Sequence, residues 1–192
     1  MPIADHYATD DELTRDSQPQ WFAMRATYHR EAAVKQLLDM QGIESYLPLR
    51  QVIKTVRGRK VRTMAPLISS LLFVYCEKER LKQFKAKVQH LQYMTHPVDG
   101  RNVPIIVPKQ QMDDFKAVTQ CDNDRLVFFK PGELDLKKGA QVRLHGGTFD
   151  GVEGKFMKVA GKRNRRVVVE VEDVLAVAVD CTDAQFVEVL DT

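Results

Sequence analysis

The side chains that could bind a metal ion or attack a substrate are few and scattered in this sequence of 192 residues. None of its five histidines stands at a metal-ligand spacing from another histidine or from a cysteine. The glycines at 146–147 are followed by Thr148 and Phe149, not by the Lys-Ser/Thr pair of a phosphate-binding loop. Asp113 and Asp114 are adjacent, so on a helix their carboxylates point about 100° apart. These patterns predict a protein that is not an enzyme and holds no metal or cofactor.

Positive charge is a stronger chemical signal. Five basic residues fall within nine consecutive positions that contain no acid: Lys54, Arg57, Arg59, Lys60 and Arg62. Alternating apolar residues before a turn at Arg57–Lys60, and a return strand from Val61 to Met64, predict a β-hairpin with a basic tip. Such a tip suits the phosphates of a nucleic acid, because each neutralised phosphate releases a counterion. A tip that is simply solvated is the alternative.

Charge also divides the chain into three parts. Residues 1–20 hold one base and five acids, residues 21–121 hold 17 bases and eight acids, and residues 122–192 hold 11 bases and 13 acids. The middle part therefore has the positive excess that can face a polyanion. Residues 1–19 are acidic and poor in apolar side chains, which predicts a disordered leader.

Cysteine usage and hydropathy indicate the cellular compartment in which the protein is expected. The three cysteines are far apart and odd in number, which argues against a disulfide framework. No apolar run approaches the roughly 20 residues of a membrane span, and the first residues lack a secretory signal. The sequence predicts a cytoplasmic, monomeric protein without membrane contact.

Hydrophobic periodicity predicts two domains. Residues 20–121 alternate strands with amphipathic helices, which indicates an α+β domain with helices packed on one antiparallel sheet. Residues 122–137 are rich in charged and turn-forming residues and are predicted to be a linker. Residues 138–192 predict five short strands in a small all-β barrel. The helices of the first domain are expected at 29–41, 79–88 and 109–121.

The first predicted helix has an apolar face made of Ala33, Leu37 and Met40, with Val34 and Leu38 beside it. Gly42 follows at a position that suits a left-handed helix end.

Two series of motifs carry a family resemblance. The first half contains, in order, Trp21-Phe22, Tyr46–Pro48, the hairpin Val56–Lys60, Ala65–Ile68 running into Leu71–Val74, and Val107-Pro108. The second half contains Lys138–Leu144 and Gly147–Gly154. The first series resembles the NGN domain of NusG-type transcription elongation factors, and the second is similar to their KOW motif, which forms an SH3-like barrel. Together they cover about residues 20–192 and look most like the specialised RfaH-like paralogs.

The resemblance implies that RNA polymerase is the partner. It implies a domain that spans the main channel of the polymerase and an apolar patch that grips the clamp. Matched by motif, that patch is Trp21, Phe22, Leu67, Ile68 and Leu71, although Trp21 and Leu71 are equally expected as core residues. The chain has Ile68-Ser69-Ser70-Leu71 where the family usually has Phe-Pro-Gly/Asn-Tyr. With the acidic leader, this departure favours an operon-specialised antiterminator over the general factor.

The resemblance also assigns the other two surfaces. It implies that the basic hairpin projects towards upstream DNA, with nascent RNA nearby. It implies that Phe149, in the glycine-rich first loop of the KOW motif, holds a second partner such as a ribosomal protein or the termination factor Rho. The alternative for Phe149 is a place in the core of its own barrel.

A ribosome- or RNA-binding protein without polymerase contact is the alternative function. An exposed patch of Leu67, Ile68 and Leu71 would favour the polymerase. Burial of all three, with the basic clusters on one face, would favour RNA.

Overall fold

The computed structural model describes residues 17–121, 126–161 and 164–190. The predicted leader lies outside the described residues except for positions 17–19. None of the helices described is long and apolar enough to cross a membrane. The described ranges contain three α-helices: α1 (Glu31–Met40), α2 (Lys78–Lys87) and α3 (Lys109–Gln120). Each lies within two residues of its predicted bounds.

The strands are short, and within the described residues they pair only in antiparallel fashion. In chain order they are β1 (Gln20–Ala26), β2 (Glu44–Tyr46), β3 (Leu49–Val56), β4 (Arg59–Pro66), β5 (Leu71–Cys76), β6 (Leu91–Tyr93), β7 (Thr95–Val98), β8 (Arg101–Pro104), β9 (Ile106–Val107), β10 (Val127–Phe129), β11 (Ala140–His145), β12 (Glu153–Lys158), β13 (Arg165–Val171), β14 (Leu175–Val179) and β15 (Phe186–Val189).

These strands form two sheets and two ribbons. The N-terminal sheet has the order β2-β5-β1-β6, and β9 pairs with the start of β1. The C-terminal sheet has the order β10-β14-β13-β12-β11-β15. β3 pairs only with β4, and β7 only with β8, among the described strands. The described part of the chain is thus a mixed fold of antiparallel sheets and three helices, as the α+β prediction for its first half requires.

The two central strands of the N-terminal sheet, β1 and β5, are apolar on both faces because both faces are covered. Side chains alternate along a strand, so neighbours in sequence enter different cores. One face, with Phe22 and Leu72, packs against α1 and α2. The other face, with Trp21 and Phe73, packs against α3. Both strands therefore read as continuous apolar runs, and the sequence predicts them for that reason.

The apolar stripe of helix α1 that packs against the sheet, a row of residues along one side of the helix, differs from the predicted one. Val34 and Leu38 are buried, whereas Leu37 and Met40 are exposed. Both stripes are apolar, so their spacing alone does not select one. Glu31 lies on the buried stripe and is accommodated because its carboxylate accepts the backbone N–H of Ser70.

One apolar core joins the two sheets. It contains residues of the N-terminal sheet, of α3 and of the C-terminal sheet, among them Phe73, Phe115, Leu144 and Val169. Helix α3 is the layer between the sheets, and its buried apolar side chains, Met112, Phe115 and Val118, belong to that core. The two predicted domains therefore share one hydrophobic core, whereas the sequence leaves open whether they associate.

The segment predicted as a linker contains strand β10. Val127, Phe128 and Phe129 pair with Ala178, Val177 and Ala176 of β14, so this segment is the first strand of the C-terminal sheet. The three apolar residues are flanked by charged and turn-forming ones, which is why composition alone indicates a linker.

The other five strands of the C-terminal sheet, β11 to β15, correspond to the five short strands predicted for this part of the chain, and β12 and β13 lie at the centre of the sheet. Gly154 in β12 permits a close approach between strands. A Cβ placed there would lie 2.6 Å from the carbonyl oxygen of Val168 and 2.7 Å from Cγ1 of Val167. A glycine is therefore required at this point of the sheet.

Candidate functional site

The connection from β4 to β5, here called the apolar turn (Leu67–Leu71), places two large apolar side chains near the surface. Leu67 and Ile68 are half-buried, and Leu71 is 4% exposed. The Leu67 N–H donates to the carbonyl of Pro48 at 2.8 Å, which fixes the start of the turn against the chain before β3. The turn is thus intermediate between the exposed patch and the buried patch that the sequence leaves open.

An open cavity of about 370 Å³ borders the apolar turn. Its walls combine Ile68 and Leu71 with Met94, with Phe128 of β10 and with Leu175 of β14. Phe128 also lines a second cavity of about 350 Å³ that contains Leu67. Strand β10 and the edge of the C-terminal sheet therefore lie over the apolar turn.

The backbone of the apolar turn is held in an unusual conformation. Ser70 has φ 64°, in the left-handed region that non-glycine residues rarely adopt. This is the position at which the NusG-type pattern usually has Gly or Asn. The buried carboxylate of Glu31 accepts the Ser70 N–H, so helix α1 holds the turn in place.

Ser69, His29 and Glu31 lie together beside this turn but do not form a catalytic relay. Ser69 Oγ lies 2.7 Å from His29 Nδ1, and Glu31 Oε1 lies 4.0 Å from the same nitrogen. A nucleophile and an orienting carboxylate must use different ring nitrogens of the histidine. The arrangement positions the turn and offers no activated nucleophile.

Three of the five residues predicted for the patch are in the core. Trp21 is 5% exposed, with Lys116 Nζ 3.9 Å from its ring centroid. Phe22 is fully buried on the opposite face of the sheet, under α1 and α2. Leu71 joins Trp21 in the shared core. The structure favours the core alternative for Trp21 and Leu71, and it does not bring Phe22 to the surface that carries Leu67 and Ile68.

The basic hairpin, formed by β3 and β4, stands outside both sheets. Every residue from Ile53 to Arg62 is exposed. Arg57 and Gly58 have φ 49° and 76°, the two positive values of a type I′ turn. Within the part of the chain that the structure describes, none of its predicted phosphate-binding residues, Lys54, Arg57, Arg59, Lys60 and Arg62, has an ion-pair partner.

Polar contacts fix the C-terminal sheet to α3. Asp114 is 6% exposed, and its Oδ1 accepts the backbone N–H of Glu153 at 3.2 Å. Gln110 Nε2 lies 3.2 Å from both carboxylate oxygens. Burial raises the pKa of Asp114, and these hydrogen bonds oppose that shift. Gln111 adds a second contact, accepting the Glu172 N–H at 3.0 Å.

Phe149 is 3% exposed and belongs to the shared core, which favours the core alternative for this residue. An aromatic residue that sequence reasoning does not single out is exposed instead. Phe186 of β15 is stacked on His145 with centroids 4.3 Å apart. His145 Nε2 and Glu188 Oε2 are 2.7 Å apart, so a polar network holds the stacked ring. No local motif surrounds Phe186, and only the strand register brings it to His145.

Comparison with known proteins identifies the family. The NusG family model, described as transcription termination factor NusG, matches residues 19–116, which is just over half of the chain. The chain belongs to the NusG family, a family of transcription factors. A solved structure titled "Domain interaction in Thermotoga maritima NusG" is similar at 18% identity, with a TM-score of 0.41, over 92% of this chain and 99% of that one. No curated protein matches.

Proposed function

We propose that this protein is a transcription elongation factor that binds RNA polymerase across its main channel, with the clamp held by the apolar turn. In this proposal Leu67 and Ile68 make the first contact, and Leu71 lies behind them. The observation that carries the proposal is the pair of large aliphatic side chains that stay half-exposed on a turn of strained backbone. Strain of this kind is retained where the surroundings hold a functional conformation.

Binding of a polymerase at the apolar turn would require a movement of the C-terminal sheet. Phe128 and Leu175 lie over the cavity beside Ile68 and Leu71, so a large partner can cover the apolar turn only after β10 and the C-terminal sheet have moved. Leu67 and Ile68 make the first contact, because each is only half-buried and part of each side chain is accessible without separating the sheets. The missing aromatic anchors of the family pattern predict a weaker grip, since aromatic residues dominate interface energies.

The proposed mechanism is mechanical and electrostatic. With the clamp held, the basic hairpin faces upstream DNA or nascent RNA and neutralises phosphates through side chains that have no competing ion pair in the described chain. A held clamp and a supported nucleic acid make pausing and release less frequent, which is the action of a processivity factor or antiterminator. The departure from the family pattern at Ile68–Leu71, together with the acidic leader, favours an operon-specialised factor.

The C-terminal sheet is proposed to be a KOW-type barrel that holds a second partner, a ribosomal protein or Rho. Phe149 supports such a site from within, because its ring is buried beneath the loop that carries it. The contact surface would then be formed by the exposed residues of that loop, such as Thr148 and Asp150.

Retention on immobilised core RNA polymerase tests the proposal. Leu67→Glu/Ile68→Glu places two charges in the proposed contact and is expected to abolish retention, because an unpaired charge in an apolar contact is strongly unfavourable. Leu37→Glu/Met40→Glu is the matched control, since it adds the same charges at exposed apolar positions of α1. Loss of retention in Leu67→Glu/Ile68→Glu but not in Leu37→Glu/Met40→Glu would support the proposed contact site.

Two outcomes contradict the proposal. Wild-type protein that is not retained at low salt would exclude polymerase binding and leave the RNA-binding alternative. Equal retention of wild type and Leu67→Glu/Ile68→Glu would place the contact elsewhere. Far-UV circular dichroism of each variant separates lost binding from lost folding.

A further inference from the structure

Strand β15 is an open edge of the C-terminal sheet. It pairs with β11, and no other described strand pairs with it. Just beyond the strand, the Leu190 N–H donates to the carbonyl of Gln141 at 2.9 Å. Backbone groups alternate in direction along a strand, so the N–H and carbonyl groups of Val187 and Val189 point away from β11. An edge of this kind can accept a further strand.

Apolar side chains are exposed along this edge on both faces of the sheet. Val189 is opposite Val142, which is 1% exposed in the shared core, whereas Val189 is 65% exposed. On the other face Phe186 is 57% exposed, with one side of its ring stacked on His145. The apolar face therefore continues to the edge without a cover, and the other side of an aromatic ring is accessible beside it. Large exposed apolar groups that lie together mark a partner.

Carboxylates outnumber basic side chains on the face that carries Phe186. Glu188 Oε2 lies 2.7 Å from His145 Nε2, and this hydrogen bond lowers the pKa of the Glu188 carboxyl. The Arg143 guanidinium is shared between Glu188, at 3.6 Å, and Glu153, at 2.6 Å. One arginine is thus matched against two carboxylates in this row of the sheet, so Glu188 can bind a further cation.

The loops beside this row add two exposed carboxylates, Asp150 and Asp183. Asp150 Oδ1 accepts the Gly146 N–H at 2.6 Å, and Asp183 Oδ2 accepts the Thr148 N–H at 3.0 Å. Hydrogen bonds from the Thr148 hydroxyl and N–H lower the pKa of Asp183, so this group is ionised at neutral pH. The surroundings of Phe186 are therefore acidic, which disfavours a nucleic acid and favours a basic segment of a protein.

The geometry of an added strand specifies the sequence pattern of that partner. Successive side chains of a strand point to opposite faces of the sheet. One set would lie beside Phe186 and Glu188, where a guanidinium can stack on the ring and bind the carboxylate. The other set would lie on the face of Val189 and cover the apolar surface exposed there. A segment in which basic and apolar residues alternate meets both requirements.

We propose that β15 binds an extended basic segment of another protein by strand addition, with arginine side chains on Phe186 and Glu188 and apolar side chains over Val189. This deepens the second-partner contact proposed for the C-terminal sheet, on which it rests, and extends that contact from the loop residues Thr148 and Asp150 to the open edge. Backbone hydrogen bonds along the edge supply affinity, and the alternating side chains select the partner.

Fluorescence anisotropy of a labelled peptide of alternating arginine and valine, titrated with the full chain, tests the proposal. Wild type is expected to bind it about tenfold more tightly than a peptide of alternating arginine and serine, because covering an apolar side chain has an effect of that size. A peptide of alternating glutamate and valine should not bind. Phe186→Ser and Glu188→Gln should each weaken binding of the arginine–valine peptide about fivefold. Amide hydrogen exchange at Val187 and Val189 should slow in the complex.

Val189→Pro separates strand addition from simple charge attraction. The Val189 N–H points to the open edge, so a proline there removes a donor that β11 does not use, and proline is tolerated at such positions. The variant is expected to fold, by far-UV circular dichroism, and to bind the arginine–valine peptide about tenfold more weakly, the effect of one or two lost hydrogen bonds. Val189→Thr keeps the N–H and is the matched control, which should lose less affinity. Leu37→Ser/Met40→Ser, at exposed apolar positions of α1, should bind as wild type does.

Equal binding of the arginine–valine and glutamate–valine peptides would overturn the proposal, as would unchanged amide exchange at Val187 and Val189 in the complex. A folded Val189→Pro variant that binds as wild type does would exclude strand addition. Dimerisation of the wild type that Val189→Pro abolishes, without peptide binding, would show that a second copy covers the edge instead. Leu67→Glu/Ile68→Glu should bind the peptide whether or not polymerase retention fails, so the two proposals fail separately.

Discussion

Replacing Asp114 tests how the C-terminal sheet is held to helix α3. Its carboxylate lies in the contact between them and accepts the buried Glu153 N–H. Asp114→Ala leaves that donor and the Gln110 amide without an acceptor, and an unsatisfied buried donor costs about 1–3 kcal/mol. Asp114→Asn keeps one acceptor oxygen and removes the buried charge. We therefore expect the alanine variant to lose about 2 kcal/mol of unfolding free energy and the asparagine variant to lose less than half of that.

Urea unfolding followed by Trp21 fluorescence gives these free energies, and amide hydrogen exchange at Glu153 reports the contact itself. Exchange at Glu153 should accelerate in Asp114→Ala and stay slow in Asp114→Asn. Asp113→Ala is the control, because Asp113 is the neighbouring carboxylate and forms an ion pair with the exposed Lys109. Equal losses in Asp114→Ala and Asp113→Ala, or an asparagine variant as unstable as the alanine variant, would refute the reasoning.

Three further outcomes are expected. Burial raises the pKa of Asp114, so the folded state binds the Asp114 proton more tightly than the unfolded state does. The unfolding free energy should therefore fall as the pH rises from 3.8, the ordinary pKa of an aspartate, through the pKa of the folded state. Urea titrations of Asp114→Asn should not show this fall. Ser70→Gly should raise the unfolding free energy by about 1 kcal/mol in calorimetry, since glycine relieves the left-handed strain; a loss would contradict that strain. Phe128→Ala should increase retention on polymerase by uncovering Ile68, and unchanged retention would show that β10 does not obstruct binding.

The helices and central strands can be predicted from the sequence because their signals are local. Helix α3 begins after Pro108, and β5 is a continuous apolar run, so both are visible without knowledge of their partners. The stripe by which α1 faces the sheet is not local, because two apolar stripes compete and packing selects Val34 and Leu38.

The candidate site is predictable only in part. The basic hairpin follows from turn chemistry and charge, which adjacent residues supply. The burial of Leu71 and the cover over Ile68 depend on β10, whose pairing with β14 spans about fifty residues of sequence. A short apolar segment among charged residues carries no sign of that pairing, so sequence reasoning assigns it to a linker.

The single core that joins the N-terminal sheet, α3 and the C-terminal sheet has a thermodynamic consequence for recognition. A partner that needs the covered face of the apolar turn can bind only those molecules in which the C-terminal sheet has separated from the N-terminal sheet. Its apparent dissociation constant then equals the intrinsic constant divided by the fraction of such molecules. Substitutions deep inside the C-terminal sheet, such as at Val169 or Leu144, could thus tighten binding at a surface they never touch. For substitutions in the C-terminal sheet, affinity and folding stability would then be inversely related.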